Sequence, residues 1–495
     1  MEKEQVIIKN NWHDVVMYEI FVQSFADSNG DGIGDINGMT SKLDYIQELG
    51  IKGIWLMPIS PSPSYHKYDV TDYLGIHPDY GTMADFKQFI QEAHKRNIKV
   101  VVDFVLNHTS SEHPWFISAK EDKNSKYRNY YVWANIDSIS DQLAKKEITL
   151  DSDNITQWHK NGNDEEYYYG FFWGGMPDLN YDNVEVRAEI KKAGSFWLEE
   201  VGVDGFRLDA ARHIYPDDQA EKSHAWWVEF GDAMRKIKPD VYMVGEVWGN
   251  AESVGPYLKG LPSMFNFDFY HAINDLMKNE IDNDIIDSLI NARALYKNIQ
   301  PNYLDGIFVN NHDQNRLISN VNGSIEKSKE AFAILLTLPG IPYVYYGDEI
   351  GMLGKKPDEM IREPFIWDKS KNDTLRSKWI APENSTDSTV ISLSYQLKDT
   401  NSTYHFFKAW IKERNENEVL RIGDLQSLSA SRSILAYSRT LNHERVVILH
   451  NLKSTNSKVE LSRLNCTEIE FYFGDKPRMD MNSIILAPYQ SVILK

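Results

Sequence analysis

Short apolar segments rich in β-branched residues alternate along most of the chain with amphipathic segments, and this alternation constrains the fold more than any other feature. The strand-like segments occupy residues 15–25, 51–59, 98–108, 203–210, 241–248, 263–270, 306–313 and 340–349. Helix-like stretches such as residues 82–97 and 183–202 separate them. Because strand–helix alternation produces parallel strands with crossover helices, eight such units in 495 residues predict an α/β fold, a (β/α)8 TIM barrel.

A doubly wound open sheet is the alternative α/β architecture. Folds of that kind carry a Gly-rich phosphate-binding turn after the first strand. No Gly-rich turn of this kind directly follows the first predicted strand, residues 15–25. The barrel is therefore favoured.

Two regions interrupt the alternation. Residues 109–178 follow the third strand, are rich in Tyr, Trp, Asp and Asn, and predict a small inserted domain. From about residue 418 short alternating strands predict a C-terminal antiparallel β-sandwich. The predicted division is 1–108 for the first part of the barrel, 109–178 for the insertion, 179–417 for the second part of the barrel and 418–495 for the sandwich.

The net charge limits the classes of partner, and the cysteine count limits the possible cross-links and metal sites. A formal net charge of −19 argues against nucleic acid and anionic membranes, which attract basic surfaces. Cys466 is the single cysteine, so an intrachain disulfide and a cysteine metal site are excluded. Aromatic residues make up 12% of the chain, which fits either large cores or flat faces for stacking a ligand.

The apolar runs are too short to cross a membrane. The first residues, MEKEQVIIKNNWHD, lack the apolar core of a signal peptide. We expect a cytoplasmic protein, or a secreted or cell-surface protein whose export leader was removed. A monomer is favoured, although the sequence leaves the oligomeric state open.

Polar side chains follow the barrel strands where each one ends, which is where barrels of this type place their chemistry. A single strand-end Asp is more often a helix cap, and a single His is more often a core or surface group. Caps do not account for the whole set, which comprises Asp209, Glu246, Asp313, Arg207, His108 and His312.

Three neighbouring carboxylates indicate cleavage of a glycosidic bond. One carboxylate can attack the anomeric carbon while another protonates the leaving oxygen. Crowded like charges raise the proton affinity of one group, so an acid and an anion coexist at neutral pH. Arg207 lies two residues before Asp209, on the same side of a strand, and would keep that carboxylate ionised and oriented.

With these residues in this order, the chain resembles the α-amylase family, glycoside hydrolase family 13. The matching motifs are DFVLNH (103–108), GFRLDAARH (205–213), GEVW (245–248) and FVNNHD (308–313). Secondary motifs of the family are similar to GIWLMPI (53–59), MPDLN (176–180) and GIPYVYYGDEIGM (340–352). The resemblance covers nearly the whole chain.

The resemblance implies a role for each matching residue. Asp209 would be the nucleophile, Glu246 the general acid/base and Asp313 the transition-state stabiliser. The implied substrate-binding residues are Arg207, His108 and His312 around the cleaved sugar, Tyr68 as its stacking platform, Arg212 and His213 on the leaving-group sugar, and Arg362. The residues surrounding Arg362 differ from the family pattern.

The stretch DSNGDGIGD, residues 27–35, predicts a Ca²⁺ site. Asp27, Asn29, Asp31 and Asp35 place oxygen ligands at alternate positions, with glycines that let the loop curl. A simple Gly/Asp-rich turn is the alternative. The resemblance adds the backbone oxygen of Ile33.

The resemblance also implies a second Ca²⁺ site. Its ligands would be Asn107, Asp178 and the backbone oxygen of His213.

Two positions bear on specificity within the family. Tyr65 stands where exo-acting relatives carry an Asp that closes the pocket, and Ala210 stands where relatives preferring α-1,6 bonds tend to carry Val. The resemblance thus implies a retaining, endo-acting hydrolase of α-1,4 bonds in starch, maltodextrins and related α-glucans. Transglycosylation and activity on pullulan or cyclodextrins stay open.

Two alternatives are retained. One is an exo-acting α-glucosidase or oligo-1,6-glucosidase. The other is a non-catalytic carbohydrate-binding or transporter-partner homologue. The complete set of Asp209, Glu246 and Asp313, with no membrane anchor, argues against the second.

Overall fold

The computed structural model describes residues 11–143, 147–149, 152–162, 166–462 and 464–495. The chain begins with the first part of a barrel. Its strands are β1 (Met17–Ile20), β2 (Gly53–Leu56) and β3 (Lys99–Phe104). Its helices are α1 (Val22–Phe25), α2 (Ile36–Ser41), α3 (Leu43–Leu49) and α4 (Met83–Lys95).

The segment after β3 carries its own small sheets. Its helices are α5 (Pro114–Glu121) and α6 (Ile136–Leu143), and its strands are β4 (Trp133–Asn135), β5 (Glu147–Thr149), β6 (Ser152–Ile155), β7 (Trp158–Lys160) and β8 (Glu166–Tyr169). Strands β4, β8 and β7 form one antiparallel sheet, and β5 pairs with β6. The predicted domain boundaries stay a prediction.

The barrel then resumes. Its remaining strands are β9 (Gly205–Leu208), β10 (Tyr242–Gly245), β11 (Ser263–Phe265), β12 (Leu304–Phe308) and β13 (Ile341–Tyr345). The helices are α7 (Val184–Phe196), α8 (Ala220–Ile237), α9 (Ala251–Val254), α10 (Phe267–Asn279), α11 (Ile285–Ile299), α12 (Leu317–Asn320), α13 (Ile325–Thr337), α14 (Asp358–Ile361) and α15 (Leu393–Gln396).

Eight parallel strands close into a barrel in the spatial order β1-β13-β12-β11-β10-β9-β3-β2. The predicted (β/α)8 barrel is therefore confirmed. The strands are shorter than predicted, and residues 263–270 show why. Asn266 accepts a hydrogen bond from the backbone N–H of Phe269, so it caps α10 and ends the extended stretch at Phe265.

The C-terminal part begins with helices and ends with strands. The helices are α16 (Thr403–Glu416) and α17 (Glu418–Ile422), and the strands are β14 (Asp424–Ser427), β15 (Ile434–Leu441), β16 (Glu444–Asn451), β17 (Ser457–Glu460), β18 (Ile469–Tyr472), β19 (Arg478–Asp480), β20 (Ser483–Leu486) and β21 (Ser491–Leu494). They form antiparallel sheets in the orders β14-β15-β16-β21-β18 and β17-β20-β19. One buried cluster joins side chains of both sheets, including Val447, Val492 and Ile484, so the predicted antiparallel sandwich is confirmed.

Contacts group the described residues into two compact units. The first holds residues 56–91 and 100–264, and the second holds residues 11–55, 92–99 and 265–495. Across these ranges, no helix has both the length and the apolar character needed to cross a bilayer.

Candidate active site

Arg207 is the centre of a buried charge cluster in the first unit. Its side chain is 1% exposed, and its Nη1 lies 3.0 Å from both carboxylate oxygens of Asp103. The same Nη1 donates to Asp209 Oδ1 at 2.6 Å, and Nη2 lies 2.8 Å from Glu246 Oε2. The charges of Arg207 and Asp209 can be buried beside a core strand because three carboxylates share the one guanidinium.

Strand register brings these groups together. In the parallel sheet Asp103 of β3 is paired with Arg207 of β9, and Val244 of β10 is paired with Arg207 on the other side. Asp209 and Glu246 are the residues that follow β9 and β10 directly. The side chains therefore converge at the carboxyl ends of neighbouring strands.

The charge state of Arg207 follows from its partners. Burial alone would lower the pKa of the guanidinium, but the charges of Asp103, Glu246 and Asp209 raise that pKa well above its ordinary value. The guanidinium is a permanent cation among carboxylates.

Glu246 is held at both carboxylate oxygens. Its Oε2 accepts the backbone N–H of Ala210 at 3.1 Å, and its Oε1 accepts the indole N–H of Trp248 at 3.1 Å. Ala210 adopts a left-handed conformation with φ 47°, which is uncommon for a residue with a Cβ. This conformation directs its N–H at the carboxylate, so the backbone after Asp209 helps to position Glu246.

Tyr68 and His108 lie beside the cluster. The Tyr68 hydroxyl donates to Asp103 Oδ2 at 3.1 Å, and its ring is half-buried, so its stacking on a sugar stays a prediction. His108 is buried, and its Nε2 is 3.1 Å from the backbone oxygen of Tyr68. Burial lowers the pKa of His108, although the charge of Asp209 opposes the effect.

A second charge cluster lies in the second unit, around His312. Nδ1 of His312 is 2.5 Å from Glu19 Oε1, and Nε2 is 3.0 Å from Asp313 Oδ2. Burial opposes the charged ring, but Asp313 and Glu19 raise its pKa from 6.5 to about 9. Arg362 donates from Nη2 to Asp313 Oδ1 at 2.9 Å and from Nε to the His312 carbonyl at 3.0 Å. Two cations thus hold Asp313.

Arg212 and His213 also lie in the first unit. Arg212 forms a bidentate pair with Asp217 and donates to the carbonyl of Trp248 at 2.6 Å. The His213 ring stacks on Phe171 with centroids 3.8 Å apart. The structure therefore gives both residues protein partners, and their contact with a sugar stays a prediction.

Three residues of the two charge clusters, taken separately, were absent from the residues predicted to act. Asp103 and Trp248 lie inside the motifs DFVLNH and GEVW, so their motif membership was the available signal. Glu19 is a single acid in the apolar stretch 15–25, and it is buried in β1 beside His312.

The loop of residues 27–35 has the donor chemistry for Ca²⁺. Gly30 and Gly32 have φ of 81° and 95°, which lets the loop curl. Asp27 Oδ1 accepts the N–H of Gly30 at 2.7 Å, and Asp31 Oδ1 accepts that of Ile33 at 2.8 Å. Asp27 Oδ1 accepts a second N–H, from Asn29 at 3.2 Å, but Asp27 Oδ2 accepts from Gly32 alone. That oxygen and Asp31 Oδ1 each keep a lone pair with which they could coordinate a cation.

Asp35 fits a metal less well than the other acids of the loop. Its carboxylate accepts from the backbone and hydroxyl of Ser28, both at 2.7 Å, and caps α2 through the N–H of Gly38. Across the described ranges, the His, Cys, Asp and Glu side chains form no group of three or more that could hold a metal ion. The predicted calcium is therefore left to proposal.

The second predicted metal position contains an unusual buried pair. Asn107 Oδ1 is buried and has no hydrogen-bond partner among the described residues. Asp178 is buried too, and burial raises the pKa of its carboxyl well above the ordinary value despite a hydrogen bond from the N–H of Phe171. A cation would satisfy both oxygens, so these residues fit the ion.

Two family models and a curated relative match this chain over most of its length. The family described as alpha amylase, catalytic domain, matches residues 19–423, and the alpha-amylase SusG C-terminal domain matches residues 434–493. Alpha-amylase 3 of Dictyoglomus thermophilum is 46% identical over 486 residues, covering 98% of this chain and 94% of the relative.

Two further similarities extend this comparison. The 4-alpha-glucanotransferase of Thermotoga maritima is 36% identical over 442 residues, covering 88% of this chain and 96% of that protein. Among solved structures, the alpha-amylase from H. orenii superposes with a TM-score of 0.90 at 41% identity, covering 97% of this chain and 99% of that one.

Proposed function

The chain belongs to the α-amylase family of glycoside hydrolases, and from that premise we propose that it is a retaining, endo-acting hydrolase of α-1,4-glucosidic bonds in α-glucans. It is an enzyme. The proposal concerns its bond preference, its mode of attack and the role of each residue.

The observation that carries the proposal is the sharing of one guanidinium by Asp209 and Glu246. Asp209 Oδ1 is 2.6 Å from Nη1, and Glu246 Oε2 is 2.8 Å from Nη2. One planar guanidinium thus places both carboxylates at the same end of neighbouring strands. A retaining pair has its carboxyl groups about 5–5.5 Å apart, and this is the separation that we propose for Asp209 and Glu246.

In this mechanism Asp209 attacks the anomeric carbon of the bound glucose unit. The glycosidic C–O bond breaks, Glu246 gives its proton to the leaving oxygen, and the sugar becomes covalently attached to Asp209. Glu246 then takes a proton from a water that attacks the same carbon and releases Asp209. Atoms balance, since one water is consumed for each bond cleaved.

Asp313 would stabilise the positive charge that develops on the sugar ring. Its carboxylate is 30% exposed, while the His312 and Arg362 that hold it are at most 2% exposed. The open part of the carboxylate is therefore the part available to a substrate. Preorganised charge of this kind acts on the transition state more than on the ground state.

Tyr65 supports endo-action. It is half-buried and packs its ring edge on His66 at a centroid distance of 5.3 Å. An acid at this place would bind the end of a chain, whereas a phenol ring does not close the pocket through charge. The exo-acting alternative is represented by a relative named oligo-1,6-glucosidase, from Parageobacillus thermoglucosidasius, which is 32% identical.

The bound Ca²⁺ that we propose would have a structural role. Asp27, Asn29, Asp31 and the Ile33 carbonyl would hold it at the loop between β1 and α2, and hard oxygen ligands suit this cation. Asn107, Asp178 and the His213 carbonyl would hold a second ion.

Starch digestion tests the proposed function. Viscosity of the solution should fall much faster than reducing ends appear, and a ladder of maltodextrins should precede glucose. The Asp209→Asn variant serves as the inactive control. Glucose as the sole early product would establish the exo-acting alternative, and an inactive wild-type enzyme on starch, pullulan, cyclodextrin and maltotriose would refute the proposal altogether.

A further inference from the structure

Trp173 is an exposed tryptophan in the segment 170–176. Its side chain is 51% exposed, whereas Trp12, Trp55 and Trp227 are at most 1% exposed. Exposing so large an apolar ring to water is unfavourable. Contact with a ligand would remove part of this ring from water.

The two residues before Trp173 contact predicted site residues. The Phe172 ring lies edge-on to His108 with centroids 5.4 Å apart and to His213 with centroids 5.7 Å apart. Phe171 stacks on His213. Trp173 is the next residue of the chain, so its backbone directly follows an aromatic pair that contacts both predicted sugar-binding histidines.

The indole is also held in place. It packs directly over Gly175, since a Cβ there would come within 2.1 Å of the indole Cζ2. The backbone turn is closed by the N–H of Met176 donating to the Trp173 carbonyl at 2.9 Å, and the Tyr168 hydroxyl donates to the Gly174 carbonyl at 2.7 Å. One part of the ring is therefore supported by backbone, and the rest faces solvent.

From this geometry we infer that Trp173 is a stacking platform for a glucose unit on the leaving-group side of the cleaved bond. The inference rests on the proposed α-glucan hydrolase function, and it adds a binding position for longer chains. A fixed, flat apolar ring matches the C–H face of a pyranose, and its rigidity reduces the entropy lost on binding.

The leaving-group side follows from the neighbouring residue. His213, which the Phe171–Phe172 pair contacts, is the residue expected to bind the leaving-group sugar. Tyr68 is the platform expected for the sugar that is cleaved. Trp173 would act on a sugar beyond His213, so its effect should depend on whether a leaving-group sugar is present.

Two substrates separate this role from a general structural one. Maltoheptaose places glucose units on both sides of the cleaved bond, whereas α-maltotriosyl fluoride has fluoride as the leaving group and no sugar there. For Trp173→Ala we expect kcat/KM on maltoheptaose to fall about tenfold, the change that a loss of roughly 1.4 kcal/mol produces. For the same variant, kcat/KM on α-maltotriosyl fluoride should stay unchanged.

Three variants complete the test. Trp173→Phe should retain part of the activity on maltoheptaose, and Gly175→Val should reproduce the loss by displacing the indole. Trp158→Ala removes another tryptophan, on β7, whose indole donates to Gln142, and it should leave the ratio of the two constants unaltered.

Equal losses on both substrates, or no loss on maltoheptaose, would overturn the assignment to the leaving-group side. A wild-type enzyme that cleaves neither substrate would refute the proposed function instead, so the two failures are distinguishable.

Discussion

Asp103 and Arg207 are paired in register on the neighbouring strands β3 and β9, and their side chains meet at 3.0 Å in the buried core. Asp209 and Glu246 contact the same guanidinium. Three carboxylates around one cation have an excess of negative charge. That excess complements the positive charge that an oxocarbenium-like transition state develops.

Removal of the Arg207 charge should therefore damage both stability and activity. Arg207→Gln leaves three carboxylates beside one another in the core, and we expect it to lower the free energy of unfolding by about 3–5 kcal/mol. Urea denaturation measures this change. Arg478→Gln is the matched control, because Arg478 is 76% exposed in a surface pair with Asp480, and exposed pairs contribute at most about 1 kcal/mol.

Arg207→Lys distinguishes charge from geometry. A Lys ammonium supplies the cation but cannot span Asp209 and Glu246 as a planar guanidinium does. We expect the Lys variant to be more stable than the Gln variant and yet to lose most of kcat. Full activity of the Lys variant would contradict the importance of the shared guanidinium.

Asp209→Asn should abolish turnover without unfolding the protein. Arg207 keeps Asp103 and Glu246 as partners in this variant, so the guanidinium does not become an unpaired buried charge. Circular dichroism and melting temperature should match those of the wild type. NMR of wild-type hydrolysis should show the α-anomer as the first product, and the β-anomer would contradict the retaining mechanism.

The barrel could be predicted from the sequence because each strand–helix unit shows its own periodicity. Strand ends were less accurate. Residues 15–25 are apolar at most positions, yet β1 covers only Met17–Ile20 and α1 follows from Val22. A mostly apolar, buried run shows no clear period of two, so the pattern cannot separate a strand from the helix behind it.

The site could be predicted where its residues follow strands, as Asp209 and Glu246 do. Contacts between residues far apart in the sequence could not be predicted. Glu19 and His312 are 293 residues apart, and a single acid in an apolar strand does not identify its partner. Trp173 lies in the Tyr- and Trp-rich residues 109–178, but its exposure depends on the turn that places it over Gly175.

His312 should make stability depend on pH. Its folded-state pKa of about 9 exceeds the unfolded value of 6.5. The folded protein therefore holds this proton more tightly, so its contribution is fully present below pH 6.5 and is lost as pH rises through about 9. The free-energy difference between wild type and His312→Gln should shrink from pH 6 to pH 9.5.

Urea unfolding of both proteins at pH 6, 7.5 and 9.5 measures that difference. His271→Gln, which replaces an exposed histidine on α10, is the control for the substitution itself. A pH-independent difference between wild type and His312→Gln would indicate that the imidazole between Glu19 and Asp313 is not a cation.

Calcium should stabilise the fold through the loop of residues 27–35. Three carboxylates within nine residues repel one another, and a bound cation removes that repulsion. A ligand that binds only the folded state stabilises it by about 2.7 kcal/mol at a hundredfold excess over its dissociation constant. Chelation should therefore lower the melting temperature, and added Ca²⁺ should restore it better than Mg²⁺, which demands stricter octahedral geometry.

Asp31→Ala tests whether this loop is the site. Asp31 is exposed and accepts the N–H of Ile33, so its loss removes a proposed ligand with little effect on packing. Asp399→Ala is the matched control, because Asp399 is also exposed and accepts the N–H of Asn401 in a similar turn. The Asp31 variant should melt lower than the control and respond less to chelator. A chelator response left in it would belong to Asn107 and Asp178, and Asn107→Ala should remove it. If chelator leaves the wild-type melting curve unmoved and elemental analysis finds no calcium, residues 27–35 form only a turn.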